Sequence, residues 1–285
     1  MTARIVSCFT NNYGPAGVRE ATRRIRSAGI DHLELALRGH NFGGLVIPES
    51  AVVTEQADDA TAQAFVQLLE ANGVRISACN VGGGDMRTDE GTALTIRRLA
   101  FARKWFGVPV VVSGASQPED ATQRAAVVSN LKRLGHAAAD AGVTVALETH
   151  KGPTQNAAAM LRLMDEVDHP AVRLNFDTGN ILYYNPRADV LSELRRVAPL
   201  VHNVHLKDSR GQPEDWYFPA LGDGGAVDFA AVRSILDATG YDGAYTIEIE
   251  GIAGEPEPGL EGRQDRIARS VAHLRACGYF GSEGS

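Results

Sequence analysis

Short runs of β-branched and apolar residues alternate along this chain with longer stretches whose apolar positions recur every three or four residues. The short runs fall at 4–10, 32–37, 75–80, 108–114, 143–149, 172–178, 201–207 and 244–250, and their length and composition predict strands. Longer stretches at 17–29, 60–73, 94–107, 121–142 and 156–167 carry the helical period. Glycine closes several of these units just before the next strand, at Gly29, Gly73, Gly107, Gly142 and Gly240. Glycine reaches the left-handed backbone region without a Cβ clash, so it marks helix-to-strand junctions. Strands separated by helices run parallel, because a parallel pair needs a long crossover. Eight such strands predict closure into a (β/α)8 TIM barrel, with 1–285 as one domain. An open doubly wound sheet usually carries a glycine-rich phosphate turn after its first strand, and Cys8 to Gly14 lack that spacing. Gly82-Gly83-Gly84 lacks the Walker spacing and its lysine, and reads as a flexible loop. The Gly-, Pro- and Glu-rich stretch 251–262 reads as a loop at the barrel mouth, and 281–285 as a fraying tail.

Chemistry in such barrels sits where strands end. Side chains alternate along a strand, so positions i and i+2 share a face. Glu148 shares a face with Thr144 and Ala146, opposite Val145 and Leu147. Asn175 and Asp177 oppose Leu174 and Phe176, and Asn203, His205 and Lys207 oppose Val204 and Leu206. In the last run Thr246, Glu248 and Glu250 oppose Tyr245, Ile247 and Ile249. Each of these polar residues alone reads as a salt-bridge partner or a hydrogen-bonded core group. Together, Glu148, Asp177, His205 and Glu248 stand at corresponding depths on four consecutive strands. An inward acidic cluster is costly without a counter-ion, and three carboxylates with an imidazole suit one divalent metal ion. Mn2+ is the expected ion, with Mg2+, Co2+ and Zn2+ as alternatives. His202, on the apolar row, reads as a core histidine. Lys207 and Asp208 read as a pair at a loop start, and Glu250 as a charge one step beyond the site.

The composition, 44% hydrophobic and 22% charged, supports a sizeable core. A net charge of −7 argues against a nucleic-acid partner, which a basic surface would serve. No run approaches the roughly 18 apolar residues of a membrane span, and the first ten residues hold no signal-peptide core. Cys8, Cys79 and Cys277 are odd in number and far apart, which suits a reducing, cytoplasmic setting.

Several motifs follow in order: Ala146-Leu147-Glu148-Thr149-His150, Phe176-Asp177-Thr178-Gly179-Asn180, Val204-His205-Leu206-Lys207-Asp208, Gly222-Asp223-Gly224 with Val227-Asp228-Phe229, and Gly240-Tyr241-Asp242-Gly243 leading to Ile247-Glu248. In this order they resemble the xylose isomerase-like superfamily over nearly the whole chain. Its members include ketose 3-epimerases, hydroxypyruvate isomerases, inosose dehydratases and a DNA-repair endonuclease. The resemblance implies a metal on Glu148, Asp177, His205 and Glu248. It also implies that Glu148 and Glu248 exchange a proton beside a carbonyl through a metal-stabilised enediolate, as a sugar or keto-polyol isomerase or epimerase. Dimers or tetramers are common among such relatives. His150 and Lys207, on the site-facing row, and Glu34 and Asn80, at strand ends, are candidate substrate-binding residues, with Asn180 and Arg210. Trp216 and Tyr217 are placed to close over a sugar face.

Three positions depart from the resemblance. Asn180 stands where many relatives have histidine; Thr154 and Gly211 stand where ketose 3-epimerases have glutamate and arginine. A lyase or dehydratase acting on a keto-sugar or keto-glycoside at the same metal site, with His150 or Lys207 as added acid, is therefore the alternative. An abasic-site endonuclease needs more metal ligands and a basic face, and ranks third.

Overall fold

The computed structural model describes residues 4–37 and 54–281. Its strands are β1 (Ile5–Phe9), β2 (His32–Ala36), β3 (Arg75–Asn80), β4 (Val110–Ser113), β5 (Thr144–Glu148), β6 (Val172–Asp177), β7 (Val201–Leu206), β8 (Tyr217–Phe218), β9 (Ala244–Ile247) and β10 (Gly251–Ile252). Eight of them close a parallel barrel in the order β1-β2-β3-β4-β5-β6-β7-β9, with β1 returning to pair with β9. All eight expected runs are barrel strands, several shorter than their apolar stretch. β8 and β10 form a small antiparallel pair beyond the barrel, so the stretch beginning at Gly251 is partly strand rather than loop throughout.

The helices are α1 (Gly17–Arg24), α2 (Asp59–Asn72), α3 (Asp89–Phe106), α4 (Ala121–Ala141), α5 (Ala157–Val167), α6 (Asn180–Tyr184), α7 (Val190–Val197), α8 (Phe229–Asp237) and α9 (Gly259–Ala276). Polar caps set where several begin. Asp58, Thr88, Asp120, Asn156, Asp189 and Asp228 each accept from a backbone amide of the first turn that has no helical partner. Thr88 explains why α3 starts five residues before its apolar period does. Gly73 and Gly142 end α2 and α4 at φ 62° and 65°, in the left-handed region.

Strand parity decides which side chains meet the helices and which fill the barrel. Val145, Leu147, Leu174, Phe176, Val204 and Leu206 point outward and are fully buried in the main core, each such burial contributing about 1.5–3 kcal/mol. Inside the barrel a small separate cluster of Ala78, Val110, Val112 and Ala146 forms an apolar layer. Other interior positions are polar and buried, including Ser7, Ser77, Asn175, Asn203 and Thr246. The ionisable cluster therefore meets a hydrogen-bonding interior.

The triple glycine after β3 is a loop, as expected, and two of its residues are held by packing and hydrogen bonding. Arg98 of α3 donates to the Gly82 carbonyl and pairs with Glu55 at 3.0 Å, both side chains no more than 5% exposed. A Cβ on Gly84 would run into the Gly91 carbonyl and Thr95 hydroxyl, so glycine is required by close packing. Residues 282–285 of the expected tail lie outside the described residues. Among the described residues, no helix is long and apolar enough to cross a membrane.

Candidate active site and metal centre

Each member of the ionisable cluster is aimed by its strand. Glu148 and Asp177 are the last residues of β5 and β6, His205 is one residue from the end of β7, and Glu248 follows β9 directly. Parallel register sets Asp177 beside His205, and His205 beside Thr246. One ligand atom from each of the four residues lies within 4.8 Å of all the others. His205 Nδ1 is 2.9 Å from Glu248 Oε2, 3.4 Å from Glu148 Oε1 and 4.0 Å from Asp177 Oδ2.

The other face of His205 fixes this orientation. Its Nε2 lies 2.9 Å from Glu34 Oε1, and a carboxylate accepts, so Nε2 carries hydrogen and Nδ1 is left for the site. Glu34 Oε2 in turn accepts from Asn203 at 3.1 Å and Thr246 at 2.9 Å. Phe9 stacks on the imidazole at 5.6 Å between centroids. Asp177 is held similarly: its Oδ1 accepts from the Gly179 and Asn180 amides, both at 2.8 Å, leaving Oδ2 turned inward. Asn11 donates to Glu248 Oε1 at 3.3 Å.

Asp177 Oδ2, His205 Nδ1 and Glu248 Oε2 are buried and lie at ion-pair distance from one another or from Lys207, yet none has a partner in hydrogen-bonding geometry. Buried polar atoms are normally satisfied. Three such atoms converging from three metal-type ligands fit a divalent cation, and the donor set of carboxylates and imidazole suits such an ion.

Lys207 is the cluster's internal cation. Its Nζ lies 3.2 Å from Asp177 Oδ2, 3.2 Å from Glu248 Oε2 and 3.1 Å from Glu250 Oε2, and the side chain is 1% exposed. It also donates to Asn180 Oδ1 at 3.2 Å and sits 5.1 Å from the Phe218 ring centre. Lys207 thus faces the site and does not pair with Asp208. Asp208 instead accepts from the backbone amides of Ser209, Gly222 and Val227.

Burial and neighbouring charge compete at each titratable group. Burial pushes Asp177 up to about 7, against Lys207, with Glu248 adding repulsion. Burial also opposes charge on His205, but Glu34 and Glu248 outweigh it and hold the imidazolium well above its usual range. For Glu248, Lys207 and His205 overcome burial and hold the carboxyl below the usual carboxylate range. Glu250 is raised, chiefly by burial. Metal-free protein therefore carries a proton on His205 and, below about pH 7, one on Asp177, which a cation must displace. Metal uptake is expected to release protons, and affinity to rise from pH 6 to pH 8 by about tenfold per unit for each proton released. Titration calorimetry at one pH in buffers of different ionisation heat checks this; identical heats would contradict it.

The expected substrate-binding residues divide. His150, Lys207, Asn80 and Asn180 all line one cleft of about 920 Å³ with Glu148 and Glu248. His150 is at the rim, its Nε2 3.0 Å from the Tyr184 hydroxyl. Glu34 is placed differently from expectation. It lies mid-strand in β2, one layer below the mouth, fully buried, with its oxygens committed to His205, Asn203 and Thr246. Arg210 is exposed, paired with Asp215 and stacked 4.4 Å from the Tyr217 ring, outside the residues lining the cleft. Trp216 lines the cleft, while Tyr217 turns its hydroxyl to the Asp223 carbonyl. Glu34→Gln is expected to weaken metal binding about 10–100-fold by loosening the His205 tautomer; an unchanged dissociation constant for Mn2+ would refute that role.

Sequence reasoning missed Asn11, Asn12 and Tyr184 and undervalued Glu250. Asn12 donates to the Ile247 carbonyl at 2.9 Å and accepts from the Ile249 amide at 2.8 Å, holding the backbone around Glu248. The available signal was two adjacent asparagines at the end of the first predicted strand.

The model of the xylose isomerase-like TIM barrel family matches residues 22–277. The chain belongs to that family. Within it, the chain is 26% identical over 273 residues to an inosose dehydratase of Geobacillus thermodenitrificans, covering 88% of this chain and 84% of that protein. A D-psicose 3-epimerase solved in the presence of D-fructose superimposes with a TM-score of 0.75 at 14% identity, over 96% of this chain and 99% of that one. A xylose isomerase-like protein from Mycobacterium smegmatis in complex with magnesium gives a TM-score of 0.71 at 19% identity, over 97% and 98% of the two chains. These two likenesses establish the shared barrel.

Proposed function

We propose that this chain is a divalent-metal-dependent dehydratase of polyhydroxylated ketones. It removes the proton beside the carbonyl and expels the hydroxyl of the next carbon as water. The observation that carries the reading is a carboxylate, Glu148, opening into the cleft that the Lys207 ammonium also lines, with the converging ligand atoms of Asp177, His205 and Glu248 beneath it.

Glu148, Asp177, His205 and Glu248 would hold the metal. When bound, it would draw electron density from the carbonyl and make the neighbouring C–H more acidic. Glu148, 19% exposed and the most accessible of the four side chains, takes that proton. Lys207 places a fixed positive charge in the cleft, where negative charge develops on oxygen. The hydrogen-bonded His150–Tyr184 pair at the rim supplies the proton with which the hydroxyl departs.

Dehydration is placed ahead of epimerisation, reversing the order in which the sequence ranks them. Thr154 is buried and donates to the Glu148 carbonyl, and Gly211 offers no side chain. The glutamate and arginine that ketose 3-epimerases carry at these two positions are therefore absent here. The inosose dehydratase likeness, over most of both chains, points the same way. Epimerisation or isomerisation is the second reading, favoured by Glu248 as a second carboxylate beside His205 Nδ1.

Incubation of Mn2+-loaded protein with cyclic and open-chain polyhydroxy ketones in D2O distinguishes the two. Dehydration yields an ultraviolet-absorbing unsaturated ketone. Epimerisation yields one carbon-bound deuterium with every hydroxyl retained. Neither product across the panel would overturn both readings.

A further inference from the structure

We infer that the substrate is larger than one sugar ring: the cleft holds a ketone that carries a second, uncharged glycosyl ring. This rests on the proposed function and adds the size and chemistry of the ligand.

The metal-type ligands come only from β5, β6, β7 and the end of β9, one half of the closed barrel. The cleft is not confined to that half. It continues over the loops after β3 and β4, where Gly83, Asp85, Arg87, Gly114, Ser116 and Gln117 line it. In the barrel order β3 stands opposite β7 and β4 opposite β9, so the cleft crosses the whole mouth. Its volume of about 920 Å³ lies near the top of the roughly 300–1,000 Å³ range for pockets that enclose drug-sized ligands. Among the described residues, a six-carbon polyol bound at the ionisable cluster leaves the β3–β4 half unfilled.

That half is built for contact with a ligand. The triple-glycine segment withholds side chains and is clamped by Arg98, so it forms a fixed floor open to close approach. Ser116 is held at φ 57°, a conformation that a non-glycine residue rarely adopts. Its hydroxyl accepts from the Met86 amide, tying the two loops together. Strain of this kind persists where surrounding structure enforces it, often at ligand sites.

The chemistry of this half selects a neutral, hydroxyl-rich group. Arg87 makes a two-pronged pair with Asp85, through Nε–Oδ1 at 2.9 Å and Nη2–Oδ2 at 2.9 Å, so its charge is spent within the protein. A phosphate there would lie against the Asp85 carboxylate. Gln117 offers both a donor and an acceptor, matching hydroxyls that do both. On the other side of the cleft, Trp216, Tyr183 and Tyr184 form a chain of ring contacts at 5.7 and 5.0 Å. They provide the aromatic wall for the reacting ring.

Calorimetric titration of the wild-type protein, with and without Mn2+, tests this. Fructose is compared with its glycosylated forms lactulose, turanose and isomaltulose. At least one disaccharide is expected to bind about tenfold or more tightly than fructose. Gly114→Phe is designed to fill the second half, because a Cβ at Gly114 meets no atom within 4 Å; it should bring the ratio of disaccharide to fructose affinity to near one. Gln117→Ala should lower the same ratio severalfold without adding bulk. Equal affinities for fructose and all three disaccharides in the wild type would overturn the inference, as would a ratio unmoved by both variants. A disaccharide preference without any ketone turnover would sink the proposed reaction and leave the second subsite standing. Ketone dehydration without that preference would do the reverse.

Discussion

Glu148→Gln is expected to lower kcat by about 10²–10⁴, the usual contribution of a positioned general base. Glutamine keeps the size of the side chain, and the Thr154 hydroxyl still holds the residue 148 carbonyl at 2.6 Å, so the backbone should stay in place. The amide cannot accept a proton. Because residue 148 is also a proposed metal ligand, the assay must be run at saturating Mn2+, with metal content measured on the same sample. The informative signature is loss of both product formation and deuterium exchange with metal still bound. Retained exchange would transfer the base role to Glu248. Loss of metal alone, with activity recovered at higher Mn2+, would leave Glu148 a ligand only.

Lys207→Met should destabilise the metal-free protein by about 3–5 kcal/mol, the cost of removing one partner from a buried ion pair. Asp177, Glu248 and Glu250 all lie within 3.2 Å of the ammonium, and Asp177 and Glu248 are almost fully buried. Methionine fills similar space without charge, so packing loss is a minor part. The effect should depend on pH. Asp177 already stands at about 7 through burial, above its unfolded value near 3.8, and losing Lys207 raises it further. A carboxyl raised by folding favours the folded state below its unfolded value, and that contribution disappears as pH rises through the folded one. The deficit of the variant should therefore be smaller near pH 5, where Glu248 has lost the cation that helps keep it ionised, and largest above pH 7, where Asp177 has lost it too. Mn2+ should restore more stability to the variant than to the wild type, because it supplies the missing positive charge. Thermal unfolding at pH 5 and pH 8, with and without Mn2+, reads all of this. A pH-independent deficit that metal leaves unchanged would show that Lys207 acts through packing.

The barrel was legible because parallel strands covered on both faces leave two separate marks. Outward rows such as Val145 and Leu147 read as apolar, and inward rows such as Asn203 and His205 as polar. Parity alone was enough to bring Glu148, Asp177, His205 and Glu248 to one face, and their atoms do converge. Depth along a strand was harder to read. Glu34 has the right parity, but the β2 run ends at Ala36, so the carboxylate lies under His205 and not beside a substrate. Loop residues were harder still. Arg210 is next to the position where a substrate-binding arginine was sought, yet Asp215, five residues later, captures it. Nothing in local spacing marks that choice. The clamp of the triple glycine by Arg98 is also invisible in sequence, because the two are sixteen residues apart and meet only when α3 packs.

The most direct measurement is the metal content of the purified protein after incubation with Mn2+ and desalting, compared with His205→Ala treated identically. One equivalent of Mn2+ per chain in the wild type, and less than a tenth of that in the variant, is the result that a carboxylate–imidazole centre predicts. Equal manganese in both, or none in either after parallel trials with Mg2+, Co2+ and Zn2+, would contradict it.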